Sequence, residues 1–313
     1  MAHADATPGG GRGSAGGADA GSGGGSSDDA RSSTDGTRRT RRSRPRGGRN
    51  LALAVGSAVL FAVLFLAAVF LGGWVLVAFI AIVLVIAVLE VDAALRGTGM
   101  RPPTAVVAVA GVGMLAATYA YGHSGQLVLL AVMVLGVLLW PLADTRDGAP
   151  LVSMSSGMLI GAWIPFLASF LALLLRRPDG QWYVVLTVAL TAASDIFAYA
   201  VGYRIGRHKL APAISPGKTW EGVLGGVVGA MIVAVVLGPL VVSRLGVVLA
   251  LALGALVAGV GVVGDLAESA IKRSLGVKDL GRLLPGHGGM MDRVDAMLFT
   301  LPAAHLVLLA GGL

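Results

Sequence analysis

Apolar residues fill long, almost uninterrupted runs from Leu51 to the end of the chain. The first run, from Leu51 to Val91, is about twice the roughly 20 helical residues that cross a bilayer core, so it predicts two spans that separate near Gly72. Later runs, bounded by glycine, proline or charged residues, predict spans at about 104–121, 126–143, 151–175, 181–203, 221–243, 246–270 and 292–311. The pattern therefore predicts an all-α, polytopic integral membrane protein with about nine transmembrane helices.

The first 50 residues have a different composition, rich in Gly, Ser, Ala, Asp and Arg and nearly free of large apolar side chains. Such a segment cannot bury enough surface to offset the entropy of ordering, so we expect a disordered tail. A cleaved signal peptide is not expected, because the apolar run that follows is much longer than the about 7–15 residues of a signal core. Residues 51–175 form an N-terminal region of predicted transmembrane helices, whereas residues 181–313 form the predicted catalytic transmembrane region with polar motifs.

Composition excludes several classes of protein. Hydrophobic residues make up 56% of the chain and charged residues only 13%, which is outside the range of a soluble globular domain. The absence of cysteine excludes disulfides, thiolate metal sites and cysteine nucleophiles.

The net charge of +7 comes mainly from arginines in the tail, next to the first span and without interleaved aromatics. This placement favours contact with anionic lipid rather than with nucleic acid.

The distribution of basic residues predicts the orientation. If the tail is cytoplasmic, nine spans place the loops at 92–103, 144–150, 204–220 and 271–291 on the same side. Only Arg176, Arg177 and Arg244, of 24 lysines and arginines, then lie outside, as expected when positive charge stays in the cytoplasm. We therefore expect a multi-pass protein of the cell membrane with its polar motifs on the cytoplasmic face.

Acidic residues occur where a span should exclude them. A charged side chain within a span costs roughly 2.5–3.5 kcal/mol on insertion scales, so such residues indicate function. Asp265, Glu268 and Lys272 share one stripe at the end of a predicted span. Asp292 and Asp295 begin the next predicted span. Asp195, within "SDIFAYAVG", is expected at the same depth.

The acids have basic and glycine-rich neighbours. Carboxylates that converge without cysteine or clustered histidine favour a hard divalent cation, typically Mg²⁺. Lysines and arginines beside them suit phosphate groups, and the glycines of "PGHGG" allow backbone N–H groups to approach an anion. The basic residues concerned are Lys209, Lys218, Lys272, Arg273, Lys278, Arg282 and Arg293. The segment predicts metal-dependent phosphate chemistry at one membrane face.

Each feature taken alone has a simpler interpretation. Lys272 and Arg273 are also a common topology signal beside a membrane. Asp292 could cap a helix, and His287 could be an ordinary loop histidine. Thr219 in "ISPGKTWEG" could be the N-cap of the following helix. The combination of all these residues favours a site.

The two motifs resemble those of the phosphatidate cytidylyltransferases, also called CDP-diacylglycerol synthases. The resemblance lies in "SAIKR" at 269–273, the pair at 278–279 and "LPGHGGMMDRVD" at 284–295, together with "SDIFAYAVGYRIGRHKLAPAISPGKTWEG" at 194–222. It covers about residues 190–300 strongly, and the earlier spans only by hydropathy. It implies a membrane enzyme, often dimeric, that condenses CTP with phosphatidate to give CDP-diacylglycerol and pyrophosphate.

The resemblance also assigns roles within residues 181–313. Asp265 and Asp292 are expected to bind Mg²⁺, with Glu268 and Asp295 as further ligands and a second, monovalent cation as an open alternative. The other catalytic candidates are Lys272, Arg293 and His287. The substrate-binding candidates are Lys209, Ser215, Lys218, Thr219, Arg273, Lys278, Gly288, Gly289, Asp195 and Tyr199.

Two other functions share some of these features. A secondary transporter of an anionic solute would also contain embedded charges, but its site would lie near the midplane between internal repeats. A membrane lipid-alcohol kinase would use CTP but transfer its γ-phosphate. Polar motifs at one face, and only in the second half of the chain, favour the cytidylyltransferase.

Overall fold

The computed structural model describes residues 47–144, 149–242, 244–281 and 288–313, with side chains from residue 56 onward. Within these ranges the chain is largely helical. The helices are α1 Gly47–Leu71, α2 Gly73–Arg96, α3 Thr104–Tyr121, α4 His123–Ala143, α5 Pro150–Gly161, α6 Leu167–Leu175, α7 Gly180–Ile205, α8 Trp220–Val241, α9 Val247–Ser274 and α10 Met291–Ala310.

The predicted spans correspond to these helices. Eight helical stretches of the described residues are long and apolar enough to cross a membrane, and α1 adds an apolar segment over Gly56–Leu71. The predicted all-α, polytopic membrane fold is thereby confirmed. The span predicted at 151–175 comprises α5 and α6, joined by a π-helical turn over Ala162–Phe166. Pro165 lies in this turn and, lacking an N–H, cannot complete regular helix hydrogen bonding.

The start of α1 differs from the sequence prediction. Residues 47–50 belong to α1, although the composition assigned them to the tail. The rest of the predicted disordered tail, residues 1–46, lies outside the described residues.

A two-stranded antiparallel hairpin occupies the loop between α7 and α8. Strand β1 covers Lys209–Ala211 and strand β2 covers Ser215–Thr219, with Lys209 opposite Thr219. The sequence predicted only a loop here. The Thr219 side chain accepts a hydrogen bond from the Gly222 N–H at 3.2 Å, which confirms the interpretation of Thr219 as the N-cap of α8.

Helices α7 and α8 pack with their backbones almost in contact. A Cβ atom added at Gly222 would lie 2.9 Å from the carbonyl oxygen of Ala198, and one at Gly226 would lie 2.8 Å from that of Ser194. Both pairs are spaced four residues apart, as in the small-residue stripes that let membrane helices approach closely. The glycines therefore fix the separation of α7 and α8.

Two apolar cores join helices from the whole described chain. One contains Leu76 of α2, Leu171 of α6 and Leu253 of α9. The other contains Val88 of α2 and Val294 of α10. Residues before and after 180 are thus packed into the same cores, so the apolar region and the motif-bearing region are not separate in packing.

Contacts between helix ends are consistent with a path that alternates in direction. At one end, Thr104 donates a hydrogen bond to Asp92 at 2.5 Å and Ser153 donates one to the carbonyl of Arg101 at 2.6 Å. Contacts at the opposite end include Phe70 with Trp182, Trp74 with Tyr119, and His123 with His305. The end that holds Asp92 and Thr104 also holds the polar motifs.

We predict that Gly254→Val will destabilise the protein by about 1–3 kcal/mol through overpacking, because its Cβ would lie 2.7–2.8 Å from backbone atoms of Ala230 and Met231 on α8. Thermal unfolding in detergent measures the loss. Gly259→Val is the matched control, since it adds the same side chain to α9 where no atom lies within 4 Å. Equal unfolding midpoints for the two variants would contradict the proposed α8–α9 contact.

Candidate active site

Three carboxylates meet where α9 ends and α10 begins. Asp265 and Glu268 lie one turn apart on α9, and Asp295 lies in the first turns of α10. One oxygen from each lies within 4.8 Å of the other two. The Glu268 side chain is fully buried, and its Oε1 has no hydrogen-bond partner among the described residues. A hard divalent cation would supply a partner for this oxygen and offset the mutual repulsion of the three carboxylates.

Lys272 connects the two helices beside the trio. Its ammonium nitrogen lies 2.5 Å from Glu268 Oε2 and 3.0 Å from Asp292 Oδ1. The lysine and both of its partners are largely removed from solvent. Such buried ion pairs are costly to break, because removal of one member leaves an uncompensated charge. Lys272 therefore holds α9 and α10 in a fixed relation.

The hairpin adds a second lysine. Lys218 of β2 places its ammonium nitrogen 2.5 Å from Asp265 Oδ2. At the base of the hairpin, Glu221 of α8 accepts hydrogen bonds from the backbone N–H groups of Arg207 and His208, and the His208 Nδ1 lies 2.6 Å from Glu221 Oε1. Because Glu221 holds the start of the hairpin against α8, Lys218 is directed toward α9.

A cavity of about 600 Å³ opens beside Asp265. Its charged lining residues are Asp195, Asp265 and Lys218, and its aromatic lining residues are Tyr199 and Tyr203 of α7. These two rings are stacked, with centroids 6.0 Å apart. The remaining lining residues are Ala198, Gly202, Gly217, Thr219, Gly222, Val223 and Val262. The cavity can accept a ligand that is charged at one end and flat or apolar along its length.

The start of α10 is shaped by close backbone contacts. The Gly289 N–H donates a hydrogen bond to Asp292 Oδ2 at 2.8 Å. Gly288 has a φ angle of +81°, a conformation that favours glycine. Glu90 of α2 reaches the same place and accepts a hydrogen bond from the Met291 N–H at 2.9 Å. The first turn of α10 is therefore fixed by its own Asp292 and by Glu90 of α2.

The structure brings together most of the acids singled out in the sequence, in a different grouping. Asp265, Glu268 and Asp295 form the trio, whereas Asp292 faces Lys272 and Gly289. Asp195 lines the cavity rather than the trio. Residues 292 and 295 are only about 60° apart around a helix, as residues 265 and 268 are, so the rotation of α10 against α9 decides that Asp295 joins the trio while Asp292 meets Lys272.

The predicted substrate-binding residues fall into three groups. Lys218, Thr219, Asp195 and Tyr199 line the cavity, and Gly288 and Gly289 precede α10. The others lie at the periphery: Lys209 and Ser215 begin the hairpin strands, Arg273 donates a hydrogen bond to the Ile214 carbonyl at 3.3 Å, and Lys278 is exposed. Of the remaining candidates, the catalytic candidate Arg293 is exposed, and His287 and Arg282 lie outside the described residues.

Sequence reasoning missed Glu90 and Glu221. Glu90 is an acid in the middle of the apolar run "VIAVLEVDAAL", and the insertion cost that singled out Asp265 applies to it equally. The residue that it contacts is 201 positions away, so its role could not be read from local spacing. Glu221 follows Thr219 directly, but its role depends on a hairpin that was not predicted.

Known proteins resemble this chain over most of its length. The sequence pattern of the cytidylyltransferase family matches residues 53–310. A protein of Mycobacterium bovis named phosphatidate cytidylyltransferase is 34% identical over 275 residues, which are 84% of this chain and 90% of that protein. One of Mycobacterium leprae with the same name is 33% identical over 290 residues, 87% of this chain and 91% of that protein. A third, from Staphylococcus haemolyticus, is 42% identical over 133 residues, 42% of this chain and 51% of that protein.

We predict that Lys272→Met will lower the free energy of unfolding by about 3–5 kcal/mol, because it leaves Glu268 buried without its cation. The double variant Lys272→Met/Glu268→Gln removes both charges and should regain much of that loss. Thermal unfolding of the two variants measures the difference. A double variant no more stable than Lys272→Met would show that the ion pair with Glu268 is not the source of the effect.

Proposed function

The chain belongs to the cytidylyltransferase family, and from this premise we propose that it is a phosphatidate cytidylyltransferase. It is a multi-pass membrane transferase that condenses CTP with phosphatidate to give CDP-diacylglycerol and pyrophosphate for phospholipid synthesis. The observation that carries this function is the match to relatives of that name across nearly the whole chain. The concentration of acids, lysines and a cavity at one end of the bundle supports it.

The reaction is a displacement at phosphorus. A phosphate oxygen of phosphatidate forms a bond to the α-phosphorus of CTP, and the bond from that phosphorus to the bridging oxygen of the β-phosphate breaks, so that pyrophosphate leaves with the electron pair. A phosphate monoester is already largely ionised near neutral pH, so the attacking oxygen needs no strong base. The protein must instead position two polyanions and stabilise their charge.

Lys218 and Lys272 meet this requirement beside two different members of the acidic trio. Each already lies against a carboxylate, at 2.5 Å from Asp265 and from Glu268 respectively. Lys218 also lines the cavity, so its ammonium group can bind a phosphate that enters there. Lys272 is held between two helices and serves mainly to fix their acids. Gly288 lies beside Asp292, and the Gly289 N–H already donates to Asp292 Oδ2, so these glycines support the site through Asp292.

The acidic trio is the proposed site of Mg²⁺. Three carboxylates from α9 and α10, including the buried Glu268 with one oxygen unpaired among the described residues, match the ligands that Mg²⁺ prefers. Asp292 supports the site by holding Lys272. An ion held by Asp265, Glu268 and Asp295 would supply stabilisation of negative charge on phosphate groups.

The cavity is the proposed meeting place of nucleotide and lipid. The aromatic rings of Tyr199 and Tyr203 suit a nucleobase or an acyl chain, while Lys218 and the carboxylates provide the charged part of the lining. The acyl chains remain in the bilayer while the lipid phosphate reaches the charged residues. We place this end of the bundle in the cytoplasm of the cell, in the cell membrane, because only Arg176, Arg177 and Arg244 would then face outside.

A homodimer is also proposed, as the family resemblance implies. Exposed apolar residues on α1, α4 and α8 supply surface for lipid or for a second copy, among them Phe70, Leu139 and Leu240. Cross-linking in native membranes tests the dimer.

The experiment that tests the function uses CTP labelled at the α-phosphate, with phosphatidate in vesicles and the purified full-length chain. We predict label in the lipid product. Label in CDP would indicate a kinase instead, and label that stays in CTP would refute both activities.

Asp265→Asn should lower lipid labelling by about 100-fold or more, by loss of electrostatic stabilisation, while the protein stays folded in the membrane. Near-normal turnover of that variant would remove Asp265 from the site.

The metal proposal has a test that does not depend on activity. We predict that Mg²⁺ raises the thermal unfolding midpoint of the wild-type protein, since a ligand at 100 times its Kd stabilises by about 2.7 kcal/mol. Asp295→Asn should remove most of this shift. Asp179→Asn, an acid in the connection between α6 and α7 at the other end of the bundle, is the control and should keep it. An equal shift in both variants would exclude the trio as the ion site.

A further inference from the structure

Glu90 is a carboxylate that no described basic residue neutralises. It lies near the end of α2, where its Oε2 accepts the Met291 N–H at 2.9 Å. Its Oε1 is buried and has no hydrogen-bond partner among the described residues. No described lysine or arginine lies within ion-pair distance of it. The positive end of the α10 dipole favours a negative charge at this point, which accounts for an acid rather than an apolar residue.

Two glycines enclose the Glu90 carboxylate. A Cβ atom added at Gly281 would overlap Glu90, whose atoms are the three nearest to it. One added at Gly289 would lie 2.5 Å from Glu90 Oε2 and 2.8 Å from the backbone of Gly281. Gly281 and Gly289 stand on either side of residues 282–287, so Glu90 lies between the start and the end of that connection.

Hydrogen bonds lead from this point to the acidic trio. Gly289 donates to Asp292, Asp292 faces Lys272 at 3.0 Å, and Lys272 faces Glu268 at 2.5 Å. A shift of Met291 or Gly289 would therefore move Asp292, and with it the lysine that holds Glu268. The same helical turn carries Asp295, a member of the trio.

We propose that Glu90 is a positioning residue for the reaction, a role that rests on the proposed function. Through the Met291 N–H and the two glycines, it fixes the first turn of α10 so that Asp292 and Asp295 face α9. Glu90 itself contacts neither substrate. Because a misplacement of about 1 Å can cost roughly 100-fold in rate, loss of this support should appear in turnover rather than in substrate affinity.

The first test measures kcat and KM for CTP. Glu90→Ala should lower kcat by about 10- to 100-fold while the KM for CTP changes by less than about 3-fold. Glu90→Gln keeps an oxygen for the Met291 N–H and should recover at least about half of kcat. A structural defect alone would lower the amount of folded enzyme, which thermal unfolding and active-site titration report separately. Glu90→Ala with kcat within about 2-fold of wild type would overturn the proposal.

A double-variant comparison tests the contact itself. Gly281→Ala should lower kcat because its Cβ displaces the Glu90 carboxylate. Once that carboxylate is gone the methyl group has room, so Glu90→Ala/Gly281→Ala should be no slower than Glu90→Ala within about 2-fold. Gly289→Ala is the matched comparison, since its Cβ still meets the Gly281 backbone and should slow the Glu90→Ala enzyme further. If the kcat of the double variant falls by the product of the two single-variant factors, the contact between Glu90 and Gly281 is refuted.

Wild-type protein in the same assay separates this proposal from the proposed function. If wild type fails to label lipid, the function is refuted and the positioning role falls with it. Wild-type labelling together with an unimpaired Glu90→Ala refutes the positioning role alone. If Glu90→Ala does not fold, Gly281→Ala and Glu90→Gln decide the matter, because both retain a side chain at 90 that can fill the space. A Gly281→Ala enzyme with full kcat would then overturn the proposal.

Discussion

One ammonium group shared by two carboxylates holds the candidate site together. Lys272 lies between Glu268 of its own helix and Asp292 of the next, in surroundings with little water. A charge so placed is stable only with its partners, so α9 and α10 cannot slide or rotate past one another without a large electrostatic cost. This constraint keeps Asp295 beside Asp265 and Glu268, and it gives the site a fixed arrangement of acids before any substrate arrives. Lys218 fixes the hairpin to α9 in the same way, through its ion pair with Asp265.

Most of the fold could be predicted from hydrophobicity, because a bilayer requires about 20 apolar residues per helix and runs of that length follow one another from Leu51 onward. The hairpin between α7 and α8 could not be predicted. Its strands, "KLA" and "SPGKT", are too short to show alternation, and the second contains the proline and glycine that normally indicate a turn. It forms because Glu221 and the Thr219 cap hold its ends, and such support from outside the segment leaves no local pattern.

The site was predictable in its residue types and location but not in its grouping. Spacing alone put Asp265 and Glu268 on one face, whereas the choice between Asp292 and Asp295 depends on how α10 is rotated against α9. That rotation is set in part by Glu90, which belongs to a helix far away in the sequence. The cost of an acid in an apolar run was the available signal, and it marks Glu90 as clearly as the residues of the motifs. The partner of such an acid can be found only in three dimensions.

The close approach of α7 and α8 determines how the cavity can change size. Because carbonyl oxygens of α7 lie against Gly222 and Gly226, no side chain separates the two helices at these positions, and together they form a rigid part of the cavity lining. The cavity is also lined by Val262 and Asp265 of α9 and by Gly217, Lys218 and Thr219 of the hairpin. A change in its size therefore requires movement of α9 or of the hairpin rather than separation of α7 from α8. Because α9 carries two of the three acids and Lys218 pairs with Asp265, admission of a bulky ligand and alignment of the acidic groups are mechanically coupled.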